Sequence, residues 1–435
     1  MSAIDSVSPE TKASRRMTRE QRRKVLAGSL GNAVEYIDWA IYASLVPVFS
    51  GHFFPEESGA AAILGALIIF AVGFVMRPVG GAVIGMFADR RGRKSGLALS
   101  ILLMSTGGFL IACSPTYEQI GIFAPIILLI ARLLQGFAAG GEYGTSSAYL
   151  VEAAASGRRG FAGSFQQVSI TAGVLAASAL SYVVTNAFDD EFVSTWGWRI
   201  GFATAAVLGL LVLWYRTKVG DSDTFESMKD HSRIAKAPVV TLLRDYKKPA
   251  LWVFIIAAPV SLFHYIWVVY MPAFANASLQ LPLSQTLIAQ SISLIFLLVI
   301  LPWFGVLSDR FGRKPMLIAA CAGNLVISYP AFLFVGNGFM QLVGFQLLAV
   351  LFLAPYLASL AATMAEKLPP EVRTTGIGLP YAISVGVFGG TAPYILTSMK
   401  ENGLLHLIWI YPALMAVVAI VCFLLMEETA HKNID

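Results

Sequence analysis

Along most of the chain, apolar residues run in long blocks separated by short polar turns rich in arginine and lysine. A hydrocarbon core of roughly 30 Å takes about 20 helical residues to cross, and the blocks reach that length. The pattern predicts twelve membrane helices. The first six fall at about residues 25–50, 59–87, 95–114, 122–152, 161–185 and 199–216. The second six fall at about 249–275, 285–307, 315–335, 339–366, 374–398 and 404–426. Interior prolines such as Pro47, Pro259 and Pro355 suit membrane helices, where neighbouring helices satisfy the freed backbone groups. Arg216 to Lys248 is the one sizeable polar insertion. The expected organisation is therefore a tail over 1–24, a six-helix bundle over 25–216, a linker over 217–248, a second bundle over 249–426, and a short tail over 427–435.

The two halves share a motif. Gly85-Met86-Phe87-Ala88-Asp89-Arg90-Arg91-Gly92-Arg93-Lys94 returns as Gly305-Val306-Leu307-Ser308-Asp309-Arg310-Phe311-Gly312-Arg313-Lys314, each position 220 residues on. A charged, glycine-marked turn between two apolar helices, repeated at half-chain spacing, marks a duplicated bundle. The fold class expected is an all-α integral membrane protein with two pseudo-symmetric six-helix bundles.

Composition sharpens this. The chain is 57% hydrophobic and 13% charged, against roughly 45–50% and about 25% in soluble domains, so lipid is the expected solvent and partner. The +5 net charge says less than where the basic residues sit, and no nucleic-acid partner is expected. Lys12, Arg15, Arg16, Arg19, Arg22, Arg23 and Lys24 precede the first span. Arg90–Lys94, Arg158, Arg159, Arg310–Lys314, Lys367 and Arg373 share that side. The opposite loops hold Glu56, Glu57, Glu118, Asp189, Asp190 and Glu191, with Lys400 and Arg199 as the basic exceptions. The positive-inside bias predicts both termini in the cytoplasm. Cys113, Cys321 and Cys422 lie in apolar runs without metal-ligand spacing, and residues 1–24 lack the apolar core of a signal peptide.

Ionisable residues at membrane depth are costly and mark candidate sites. Here they are Glu35, Asp38, Arg77, Arg132, Glu142, His264 and Glu366. At about 100° per residue, Asn32, Glu35, Asp38 and Tyr42 share one stripe, and Arg132, Gln135, Ala139 and Tyr143 another. Asp38 and Arg132 count to similar depth, so they can pair. That pair either fixes helix packing or binds and couples. Arg suits a carboxylate cargo because its planar fork holds both oxygens and stays charged. Arg77 is either part of such a site or snorkels to the interface. Glu142, among glycines, either braces packing or handles protons. His264 is either a core histidine or a relay. Substrate-site candidates are Arg77, Arg132, Tyr42, Gln135, Gln166, His264 and Tyr381, with Glu35 and Asp38 for protons. Asp89, Arg90, Arg93, Glu152, Asp309, Arg310 and Arg313 are expected to form a cytoplasmic gate. The alternative for the two turns is topogenic charge alone. No metal site, catalytic group or cofactor is expected.

On these motifs the chain resembles the major facilitator superfamily. Gly31–Asp38, Met76–Gly81, Ala131–Gly136, Gly140–Gly144 and Trp196-Gly197-Trp198-Arg199 make it similar to the metabolite:proton symporters within it. The resemblance implies a twelve-helix carrier in a bacterial inner membrane, driven by the proton gradient, and it is expected to function as a monomer. Its cargo would be a small carboxylate, α-ketoglutarate or a related dicarboxylate. Citrate, shikimate and osmolytes such as betaine or proline are the alternatives within transport. A membrane enzyme would need a nucleophile–base pair or a phosphate-binding loop, and a nutrient sensor would usually carry a signalling tail; the sequence has neither.

Overall fold

The computed structural model describes residues 17–54, 59–155, 157–231, 234–279, 281–333 and 338–430. Lys12, Arg15, Arg16, Glu56 and Glu57 lie outside them. Twelve long helices follow the predicted blocks: α1 Arg19–Phe53, α2 Gly59–Arg91, α3 Arg93–Ala112, α4 Phe123–Glu152, α5 Arg159–Ala187 and α6 Trp198–Thr217. The second half has α7 Lys247–His264, α8 Leu283–Phe311, α9 Arg313–Leu333, α10 Phe339–Glu366, α11 Arg373–Ser384 and α12 Ile410–Leu425. Among the described residues, eleven spans are long and apolar enough to cross a membrane. The remaining span is α1, whose Asn32, Glu35 and Asp38 lower its mean hydropathy.

Helix limits have local causes. Thr18 and Gln21 form a capping box that starts α1 ahead of its apolar block. Gly92 (φ 107°) and Gly312 (φ 103°) turn the chain between α2 and α3 and between α8 and α9, in backbone that side chains avoid. Two predicted continuous helices are interrupted. α7 passes through a π-helical turn, Tyr265–Tyr270, into Met271–Leu279. α11 passes through Val385–Gly389 and resumes as Ala392–Glu401. Periodicity alone does not report such turns, which keep the apolar pattern while inserting a residue. The polar insertion carries two short helices, Asp223–Asp230 and Pro238–Asp245.

Large apolar side chains such as Leu64, Ile68, Val75, Val299, Trp303 and Leu425 point outward, where lipid covers them. Inside, small residues let backbones touch. A Cβ on Gly136 (α4) would collide with the Gly73 carbonyl of α2. Across the halves, α11 seats Gly378 between α2 and α4: a Cβ on Gly81 would stand 2.8 Å from the Gly378 carbonyl oxygen, and one on Gly144 2.7 Å from its Cα. On the other seam, a Cβ on Gly305 (α8) would stand 2.8 Å from the Gly160 carbonyl of α5. Close glycine contacts are how helices associate where lipid supplies no hydrophobic drive.

Gly136→Val is therefore expected to lower the thermal midpoint of the purified protein by several degrees, since overpacking costs about 1–3 kcal/mol. The control is Gly344→Val on α10, where nothing stands within 4 Å of an added Cβ. Equal midpoints for the two variants would contradict the close-packing account.

Candidate functional site

A cavity of about 390 Å³ lies between the halves. Tyr36, Trp39, Phe70, Phe74, Arg77 and Gln167 line it from the first half, and Ser261, His264, Tyr265, Gln290 and Tyr381 from the second. Its upper lining includes Ser178, 19 residues from the start of α5, and Leu287, 24 residues before the end of α8. At 1.5 Å per residue those points lie about 29 and 36 Å from the face that carries the two motif turns. The cavity therefore reaches from mid-membrane toward the opposite face. Arg77 is its cation. The guanidinium sits in the corner made by the rings of Phe74 (4.3 Å) and Trp39 (4.6 Å), whose centroids are 4.9 Å apart, and its Nε is buried without a hydrogen-bond partner among the described residues. The two rings occupy one side of the fork, and the rest of it is what remains for an anion.

Trp39 separates this cation from a second one. Behind it Arg132, fully buried, stacks 3.9 Å over Tyr42 and stands 5.5 Å from the Trp39 ring. Arg132 Nη1 donates to Asp38 Oδ2 (3.0 Å), and Gln135 Nε2 donates to Asp38 Oδ1 (2.8 Å). Glu142 is paired instead with Arg216 of α6 (2.6 Å), which also donates to the α1 carbonyl of Ala27. Neither Arg77 nor Glu35 joins an ion pair among the described residues. Glu35 and Arg77 line one small void with Tyr143 and Tyr381, and Glu35 lines another with Glu142. Tyr143 (α4) and Tyr381 (α11) stack face to face at 3.6 Å across the halves.

The face bearing the motif turns is closed by charge. Asp89 accepts from Arg93 Nη1 (2.8 Å) and from the backbone of Thr374 (3.0 Å) and Thr375 (2.9 Å), capping α11 of the other half. Arg93 also donates to Glu152 and to the Pro370 carbonyl, and Glu152 accepts from Arg373 (2.8 Å) and Ser222. The second half repeats the device. Asp309 accepts from Arg313 (2.9 Å) and from the backbone of Gly160 (2.7 Å) and Phe161 (2.8 Å), capping α5. Glu366 accepts from Arg313 (2.9 Å) and Thr429 (2.7 Å). Outside the membrane, Glu428 takes the backbone donors of Arg313, Lys314, Thr429 and Ala430; against the opposing effect of burial they hold its carboxyl below the usual range.

A family model for the Major Facilitator Superfamily matches residues 28–383 and 278–435. The chain belongs to the major facilitator superfamily. This superfamily member is 34% identical to the α-ketoglutarate permease of Escherichia coli K12, with 98% of each chain covered. It is 33% identical to the citrate-proton symporter of Klebsiella pneumoniae, over 87% of this chain and 85% of that one. It is 29% identical to the proline/betaine transporter of E. coli K12, over 94% and 84%. The solved proton:xylose symporter XylE bound to 6-bromo-6-deoxy-D-glucose shares the fold, with a TM-score of 0.75 at 20% identity over 95% of this chain and 98% of that one. The chain is a multi-pass membrane transporter, not an enzyme.

Within this major facilitator fold, the expected substrate residues divide. Arg77, His264 and Tyr381 line the cavity. Arg132, Tyr42 and Gln135 do not; they form the closed cluster behind Trp39, where the Tyr42 hydroxyl donates to the Ala66 carbonyl. Gln166 also turns away, into a buried network with Asn32 and Ser146, and the next residue, Gln167, faces the cavity. One residue on a helix is about 100°, enough to change the face. The same step accounts for Arg90 and Arg310. Each follows its aspartate, is exposed, and stands outside the charge network that Asp89, Arg93, Glu152, Asp309 and Arg313 build. Tyr36, Trp39, Phe70 and Phe74 were missed by sequence reasoning. The signal was present in the 3–4 residue spacing of Tyr36, Trp39, Ala40 and Ala43, one step round from the charged stripe.

Proposed function

We propose that the protein is a proton-coupled symporter for a small carboxylate, with a dicarboxylate of the α-ketoglutarate kind as preferred cargo. Both termini are assigned to the cytoplasm of a bacterial inner membrane. The reading rests on one observation: a guanidinium packed in a corner of two aromatic rings lines the cavity, without an ion pair among the described residues. Relatives named for α-ketoglutarate and for citrate with protons support it. The closed basic face and the cavity extending toward the other face support a carrier loading from outside.

Coupling runs through Trp39. Its ring lies against Arg77 on the cavity side and Arg132 behind. An anion that draws Arg77 off the ring lets the indole shift, loosening Arg132 from Asp38 and favouring a proton on that carboxylate. Asp38→Asn should thus abolish accumulation driven by an inward proton gradient in proteoliposomes while leaving exchange of labelled for unlabelled substrate. Accumulation that survives in both Asp38→Asn and Glu35→Gln would refute the assignment.

One observation favours a second reading. The aromatic walls, with Glu35 near Arg77, also suit a zwitterion whose ammonium packs on rings. Counterflow of labelled α-ketoglutarate decides between them. Unlabelled four- to six-carbon dicarboxylates should compete and betaine should not. Strong competition by betaine with weak competition by succinate would select the osmolyte reading.

A further inference from the structure

The cavity is faced by two basic side chains, one from each half. Arg77 comes from α2. On the opposite wall, α7, α8, α10 and α11 contribute no lysine, arginine, aspartate or glutamate among the described residues, and His264 is the side chain there that can become cationic. Its Nδ1 is buried without a hydrogen-bond partner among the described residues. The polar groups beside it are Ser261, one turn earlier, and Gln290 of α8. The Ser261 hydroxyl donates to the Ala257 carbonyl, and the Gln290 Nε2 to the Val268 carbonyl.

We propose that His264 is the receptor for the second acidic group of the cargo. A dicarboxylate is then held by Arg77 in one half and by a protonated His264 in the other. This rests on the carboxylate reading above and extends it to how one acid is told from two.

The groups around the imidazole support a proton that arrives with the ligand. Its own helix offers Tyr265, α11 offers Tyr381, and α1 and α2 offer Tyr36 and Arg77 across the cavity. On α10, Tyr356 turns its hydroxyl back to the Ile256 carbonyl, leaving Leu357 and Leu360 on the wall. Glu35 stands in the separate void beside Arg77, Tyr143 and Tyr381. No carboxylate from the second half therefore faces His264, and an arriving carboxylate supplies the counter-charge that favours imidazolium. The ring takes up a proton from solvent and donates a hydrogen bond to the distal carboxylate. A ligand with one carboxylate engages Arg77 alone, leaves His264 neutral, and does not bridge the halves.

The test is calorimetric titration of the purified full-length protein with α-ketoglutarate and with its ester at the carboxylate remote from the keto group, in buffers of different ionisation enthalpy. Wild type should bind the diacid at least about tenfold more tightly, the loss of one charged hydrogen bond, and take up about one more proton with it. In His264→Gln the two affinities should converge and the extra proton vanish. The proton count in wild type stands even if that variant does not fold. Equal proton uptake with both ligands, or a preference that persists in His264→Gln, would overturn the role of His264 while leaving the carboxylate reading intact. Failure of wild type to bind either ligand would remove both.

Discussion

Arg77→Lys should weaken binding of α-ketoglutarate by tenfold or more, and Arg77→Ala further still. The guanidinium packs against the adjoining rings of Phe74 and Trp39, and its planar fork can offer two parallel donors to a carboxylate. Lysine keeps the charge but loses the plane, the stack and the second donor. A charged hydrogen bond is worth about 1.5–3 kcal/mol, and about 1.4 kcal/mol is a decade in affinity. The measurement is the half-saturation concentration for counterflow in proteoliposomes. Unchanged half-saturation in Arg77→Lys would show that the anion binds elsewhere, and the Arg132 cluster would become the next candidate.

Glu152→Gln should open the basic face. The Glu152 carboxylate accepts from Arg93, Arg373 and Ser222, and the two guanidiniums are fully buried. Removing its charge takes a carboxylate from each and leaves Arg93 with Asp89 as its counter-charge. Breaking a buried ion pair costs about 3–5 kcal/mol, and separation of the halves relieves that cost by letting water reach the arginines. The equilibrium should move toward the state open at this face. A cysteine at Ser147, one turn from Gly144 on α4 and buried in the closed form, would report it. Labelling by a membrane-impermeant maleimide from that face should rise at least about tenfold, with reduced transport. Labelling at the wild-type rate would make the network a brace without a gating role.

Much of this was legible in the sequence. The spans follow from block length, and the repeated turn predicts a duplicated bundle. Counting depth along α1 and α4 brings Asp38 level with Arg132, and they pair. What escaped is of three kinds. The choice between Gln166 and Gln167, or between Asp89 and Arg90, turns on one residue of helix rotation, finer than block boundaries allow. The π-helical turns in α7 and α11 shift the register of everything beyond them without changing composition. Finally, Asp221 of the linker and Glu428 after α12 accept from the backbone of the motif turns, and Ser222 and Thr429 donate to Glu152 and Glu366, from stretches that have no periodicity to read. Fold arises from pattern repeated over many residues, whereas the site depends on which single side chain faces inward.

The two aspartates of the repeated turn each hold a helix that belongs to the other half: Asp89 caps α11 and Asp309 caps α5. That reciprocity bears on leakage. Were both fastenings made within one half, the seam could peel from one edge and leave a slit. Crossed as they are, a hinge motion that frees one strains the other. A form with one carboxylate stripped of its donors and still dry lies several charged hydrogen bonds uphill. The crossed arrangement thus makes release all-or-none, and that is what keeps such a protein a carrier, moving counted solutes per cycle, and never a channel through which the gradient it spends could drain.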